Sequence, residues 1–203
     1  MQVEIIGSQG VLVRRPGKSD AVGYCAEPSA RNDFDIEELE SAVKNIPRLG
    51  MIIITRRAVA PDVYDRASEL GVCVDTFGGF VRAIASFDDV SQYVHPDESY
   101  VRKRLLSTRI VSRLNRRGHR AWEIERQKGL RSLTIVTHER YELTDDDFTT
   151  LLNQHLKIDI DALVITNTNA RGFGERVTRN ARQVGIPIFT LDQFIGEIRA
   201  PWT

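Results

Sequence analysis

Apolar residues fall along this chain in two rhythms. Short apolar runs, bounded by Gly, Pro, Asn or Asp, read as buried strands. Between them lie longer stretches where apolar residues recur every three or four positions, which read as helices packed on one face. In residues 158–198 the runs 162–166 and 186–190 predict two strands. A polar, glycine-bearing loop and a helix ending at Gly185 join them, and a short helix closes the segment. Residues 50–84 repeat this order. There 51–55 matches the first strand and 72–76 the second, Ala67 and Gly71 match Ala181 and Gly185, and Phe80 and Ile84 match Phe194 and Ile198.

The flanking segments extend the parallel. Residues 3–6, 10–13 and 21–26 predict short strands, with Pro16-Gly17 as the turn before the third. Asp33 or Asp35 caps a helix over 36–46, ended by Pro47 and Gly50. Residues 85–99, polar with an acidic bias, read as the domain boundary, where Pro96 is expected to stop regular structure. A helix over 100–117 follows, capped by Asp97 or Ser99. Gly118 stands at its C-terminal cap, and Arg116 and Arg117 lie in its last turn. After it, 119–125 and 133–137 predict strands, and Thr144 with Asp147 forms a capping box for a helix over 148–156. Both halves thus contain the order β-β-α-β-α-β-α, and the second carries an extra leading basic helix. Single helices between strands imply parallel pairing and right-handed crossovers. The expected fold is α/β, as two tandem, similar, three-layer domains over 1–92 and 98–203 with mainly parallel central strands.

Composition narrows this picture. Charged residues make up 28% and apolar residues 41% of the 203, as in soluble globular proteins. The formal net charge is zero, so no whole-protein attraction draws the chain to nucleic acid or membrane. No apolar run approaches the roughly 20 residues of a membrane span. The polar N-terminus does not read as a signal peptide. Cys25 and Cys73 lie in strand-like settings and read as small buried hydrophobes of a reducing, cytoplasmic compartment.

The charge is uneven, and residues 100–131 hold eleven Lys and Arg against two Glu. On a helix, Arg102, Arg109, Arg113 and Arg116 fall within an arc of about 60°. Leu106, Ile110 and Leu114 occupy the neighbouring arc. Such a stripe, continued by Arg117, Arg120, Arg126 and Lys128, suits a phosphate backbone, and DNA or RNA is the expected partner. The competing reading is a set of solvated arginines paired with acids. Glu123 and Glu125 alternate with Trp122 and Ile124 and so share one strand face, and Glu139 ends the next strand, as Glu27 does in the first half. Three converging carboxylates are the catalytic candidates for holding Mg²⁺ if the chain is a nuclease. The competing reading is the exposed face of an edge hairpin. A third feature is the loop 167–174, at the C-terminal end of a parallel strand, where α/β proteins bind ligands. Asn167, Asn169, Arg171 and Gly172 are its ligand candidates, although it carries neither a Walker pattern nor dinucleotide-binding glycine spacing. The four histidines, His95, His119, His138 and His155, show no ligand spacing and read as surface or edge residues.

The order of strand pair, helix, strand ending in Thr, loop, helix ending in Gly, apolar strand and short helix resembles a known group. It is similar to the C-terminal two-thirds of restriction-endonuclease-like domains, above all the Mrr-like branch of the PD-(D/E)xK superfamily. The likeness covers most of both halves. It implies a nuclease-like scaffold in which carboxylates hold Mg²⁺ and a Lys assists the attacking water. The family's active strand carries Glu or Gln, one residue, then Lys. Here the matching segments are Tyr24-Cys25-Ala26-Glu27 and Val136-Thr137-His138-Glu139, with Glu in place of the Lys. The upstream metal-binding Asp has no clear match. The resemblance therefore implies a protein associated with nucleic acid whose nuclease reaction is lost. The rival expectations are a nuclease with relocated carboxylates and a structural or assembly protein acting through protein contacts, as a homo-oligomer or with a partner.

Overall fold

The computed structural model describes residues 1–170 and 172–202. The chain divides into two compact units, Met1–His95 and Pro96–Thr203. Among the described residues there are two five-stranded mixed sheets and seven α-helices. Among the described residues no helix is long and apolar enough to cross a membrane.

The first unit runs β1 (Gln2–Ile6), β2 (Gly10–Arg14), β3 (Ala21–Cys25), α1 (Ile36–Asn45), β4 (Met51–Ile54), α2 (Val63–Glu69), β5 (Cys73–Thr76) and α3 (Phe77–Ser86). Its sheet order is β1-β2-β3-β4-β5. The β1–β2 and β2–β3 pairs are antiparallel because short turns join them, whereas helical crossovers make β3–β4 and β4–β5 parallel. The sheet is therefore mixed rather than mainly parallel. Leu39 and Ala42 of α1 and Val63 and Ala67 of α2 bury one face together with Val22, Ile52 and Val74. Phe80 and Ala83 of α3 cover Ala21, Met51 and Ile53 on the other face. Asp35 caps α1 by accepting from the Glu38 amide at 2.9 Å. Thr76 caps α3 through Gly79.

The second unit opens with α4 (Pro96–Leu106). It continues through β6 (Val111–Gly118), β7 (Ala121–Arg126), β8 (Leu133–His138), α5 (Asp145–Gln154), β9 (Ala162–Ile165), α6 (Glu175–Gln183), β10 (Ile188–Thr190) and α7 (Leu191–Glu197). Its sheet order is β10-β9-β8-β7-β6, with two antiparallel and two parallel pairs as before. Phe148 of α5 and Val177 of α6 bury one face, and Leu105 of α4 and Phe194 of α7 bury the other. Thr144 and Asp147 form the expected capping box on α5.

The basic helix expected over 100–117 is the main correction. Pro96 does not stop regular structure but begins α4, the first-turn position that tolerates its missing N–H. The helix ends at Leu106, where the Ser107 and Thr108 hydroxyls donate to the carbonyls of Arg104 and Leu105, each at 2.7 Å. The chain then continues as the edge strand β6. Register shifts between Val111 and Arg113 and between Arg116 and Gly118 add one residue each to β6. The first bulge puts Val111 and Leu114, three residues apart, into the same buried cluster. A bulged strand thus copies the apolar spacing of a helix. Gly118 ends this strand, not a helix, and a Cβ there would lie 3.0 Å from the His155 ring.

One device recurs in both units. Arg15 follows β2, is buried, and donates to the carbonyls of Ser19 (2.7 Å), Ile84 (3.0 Å), Phe87 (2.6 Å) and Asp88 (2.7 Å). Arg126 ends β7, is equally buried, and donates to the carbonyls of Arg131 (2.7 Å), Ile198 (3.0 Å) and Ala200 (2.8 Å). Each guanidinium ties a hairpin turn to the chain that leaves the unit's last helix.

Candidate nucleic-acid interface

The eight cations singled out in the sequence are spread over a helix, two strands and three turns rather than one stripe. Arg102 lies on α4, Arg109 in the turn before β6, and Arg113, Arg116 and Arg117 on β6. Arg120 sits in the β6–β7 turn with φ +61°, and Lys128 in the turn after β7 with φ +62°. Four of the eight are committed elsewhere. Arg116 pairs with Glu98 of α4 at 3.8 Å. Arg117 holds Glu123 at 2.7 Å, and Arg120 holds Glu139 at 2.8 Å. Arg126 is the buried tie described above, and its Nη2 has no hydrogen-bond partner. Burial pulls its pKa down.

Among the described residues, no carboxylate pairs with Arg102, Arg109, Arg113 or Lys128. Three of these gather at one end of the hairpin. The Gln127 amide donates to the Ile110 carbonyl at 2.8 Å, which brings the turn holding Arg109 beside the turn holding Lys128. Arg113 projects from β6 opposite Glu125. All three are exposed. This is an open, cationic end of a sheet-edge hairpin.

The carboxylate candidates do not assemble as a metal centre. Glu123 and Glu125 share a sheet face and both accept from the Asn115 amide, at 3.5 Å and 2.9 Å. Glu139 sits past the end of β8, turned to Arg120. Among the described residues, no three His, Cys, Asp or Glu side chains are grouped to hold a metal ion.

The loop after β9 closes on itself. The Asn167 side chain accepts from the Asn169 amide at 2.9 Å, and the Ala170 amide donates to the Asn167 carbonyl at 3.1 Å. Gly172 has φ +104°, and Gly174 caps α6 without a side-chain bond. Arg171 lies outside the described residues.

Two of the histidines expected at the surface or an edge are buried. His155 bridges the carbonyls of Leu151 (2.8 Å) and His119 (2.9 Å). His138 ends β8, its Nε2 has no partner, and burial lowers its pKa, with the nearby Asp147 working against that shift. Sequence gave no sign of this, because an Arg140-Tyr141-Glu142 neighbourhood reads as surface. Thr166, which ends the strand expected over 162–166, donates its hydroxyl to Asp97 of α4 at 2.8 Å. This side-chain link joins β9 to the leading helix.

No family model matches the chain, and no curated protein or solved structure matches it.

Proposed function

We propose that this protein binds nucleic acid through the cationic end of the β6–β7 hairpin, on a nuclease-like scaffold present in two copies and without nuclease activity. The carrying observation is that Arg109, Arg113 and Lys128 converge at one exposed end of that hairpin while their carboxylate neighbours are engaged by other groups. Phosphates are the fitting ligand class, because unpaired Arg and Lys on an open edge gain most by releasing counterions from a polyanion.

The loss of catalysis has its own support. Glu139 stands where the resemblance expects a Lys, and it neutralises Arg120 instead of facing an attacking water. Glu123 is likewise neutralised by Arg117, so a Mg²⁺ ion would have to displace two guanidiniums. The repeated order of elements, the repeated sheet order and the paired ties at Arg15 and Arg126 support a duplicated scaffold.

The test is a titration of the full chain with labelled single- and double-stranded DNA and RNA at several salt concentrations, with Mg²⁺ present and the products run on a gel. Binding is expected without cleavage. For duplex DNA, log K falls by about 0.9 per neutralised phosphate for each tenfold rise in salt. The triple variant Arg109→Glu, Arg113→Glu and Lys128→Glu removes that binding. Affinity unchanged by the triple reversal refutes the proposed surface, and Mg²⁺-dependent cleavage refutes the loss of catalysis.

A further inference from the structure

The two sheets can be laid on one another by their ladders, and one edge of the face beneath the last helix is then covered in the second unit and bare in the first. Thr76 pairs with Ile54 in β5–β4, and Thr190 pairs with Ile165 in β10–β9. Both threonines cap the helix that follows, so Phe77 of α3 and Leu191 of α7 occupy the same place. Counting outward through the other ladders brings Val13 onto Ile124 and Val11 onto Trp122. Val3, opposite Val13, then stands where Leu114 stands opposite Ile124. Ile5, opposite Val11, stands where Arg116 stands opposite Trp122.

In the second unit α4 lies over these positions. Val101 and Leu105 share a buried cluster with Leu114 and Leu191, and Arg104 donates to Asp192 of α7 at 2.5 Å. Leu114 is left 7% exposed and Leu191 4%. In the first unit Val3 is 58%, Ile5 69% and Phe77 61% exposed, with Val81 beside Phe77 one helical turn along. Val3, Ile5 and Phe77 thus face outward at positions that α4 covers in the companion sheet, and Val81 adds to the exposed apolar surface beside Phe77. An exposed contiguous apolar surface of this kind marks a site of association.

We propose that this face of the first unit docks an amphipathic helix of a partner protein, laid across it as α4 is laid across the second unit. The polarity of the face specifies the helix. On α4 the contact positions are Glu98, Val101 and Leu105, at i, i+3 and i+7, and Glu98 reaches Arg116. The first unit has Ile5 in place of Arg116, so a carboxylate there finds no cation. The partner helix therefore carries apolar residues at all three positions.

The probe is a fluorescein-labelled peptide of residues 95–108 of this chain bearing Glu98→Leu, titrated into the full-length protein. Saturable binding is expected, weakened about tenfold or more by Ile5→Lys and, separately, by Phe77→Lys. Both side chains are exposed, so each variant keeps the parent circular dichroism spectrum and melting temperature. The peptide retaining Glu98 binds about fivefold more weakly or worse. Three results overturn the proposal. One is the absence of saturable binding. Another is binding indifferent to both Lys variants, which means the peptide has replaced α4 on the second unit. The third is self-association of the parent chain that Ile5→Lys abolishes without any peptide binding, which assigns the face to a second copy.

Discussion

Val3 and Leu114 occupy corresponding edge-strand positions in the two sheets, yet solvent reaches one and not the other. The strands beneath them have the same order and pairing, and the last helix of each unit starts from a capping Thr at the same register. What differs is α4. It covers β6 and the start of α7 in the second unit, and nothing in the first unit does that for β1 and α3. The lesson is that the core of such a sheet does not need its edge strand covered. Ala21, Met51 and Ile53 are buried beneath α3 and the following segment that carries Val90 and Tyr93, with β1 left open. The covering helix decides instead what that face of the edge presents: exposed valine and isoleucine on β1, buried leucine on β6.

The largest expected effect tests what the units share. Replacing Arg15 or Arg126 by Met leaves several backbone carbonyls without donors, and each buried one costs about 1–3 kcal/mol. Either change is expected to destabilise its own unit by about 3 kcal/mol or more. Hydrogen exchange would show the loss of protection confined to that unit. Arg15→Met is the more severe, because Arg15 serves four carbonyls and Arg126 three. Equal tolerance of both variants would mean that the matching geometry carries no matching energy.

A smaller effect sharpens the difference between the units. Leu114→Ala removes a side chain packed beneath α4 and is expected to cost about 2–4 kcal/mol. Val3→Ala, at the corresponding register, stays within about 0.5 kcal/mol. Urea denaturation of the two variants separates them, and similar midpoints would show that Val3 is covered in solution.

The smallest effect concerns pH, where the units diverge in opposite directions. Tyr24 in β3 has its pKa pushed up to about 12, first by burial and then by the Glu38 carboxylate it donates to at 3.2 Å. A phenol raised in the folded state contributes stability below its ordinary pKa of 10.0, and loses it as pH climbs from there through about 12. His138 in β8 is shifted down by burial, so the folded state resists its protonation. Its neutral form is tolerated above the ordinary value of 6.5, and stability falls as pH drops below that value toward the lowered one. Alkali should therefore loosen the first unit and acid the second, as followed by residue-resolved exchange or NMR. Tyr24→Phe and His138→Ala remove the respective slopes. Acid and alkali acting on the same unit would contradict this assignment.

The sequence by itself determined whatever is set by neighbours along the chain. The central strands are β-branched runs between turn residues, and they fold as read at Met51–Ile54 and Ala162–Ile165. The caps at Asp35 and at Thr144 with Asp147 were legible because a cap is a contact over three residues. The α/β alternation followed from the same local signals.

The tertiary structure decided the rest. Residues 107–118 carry apolar spacing that suits a helix as well as a bulged strand, and pairing with β7 selects the strand. That choice dispersed the arginine stripe, turned Arg116, Arg117 and Arg120 toward carboxylates distant or hidden in sequence, and left Arg109, Arg113 and Lys128 together. Burial of His138, the role of Arg126 and the bare face beside Val3 each depend on which segments pack over which. Periodicity reports that a residue has an apolar side, but only the assembled layers fix what covers it.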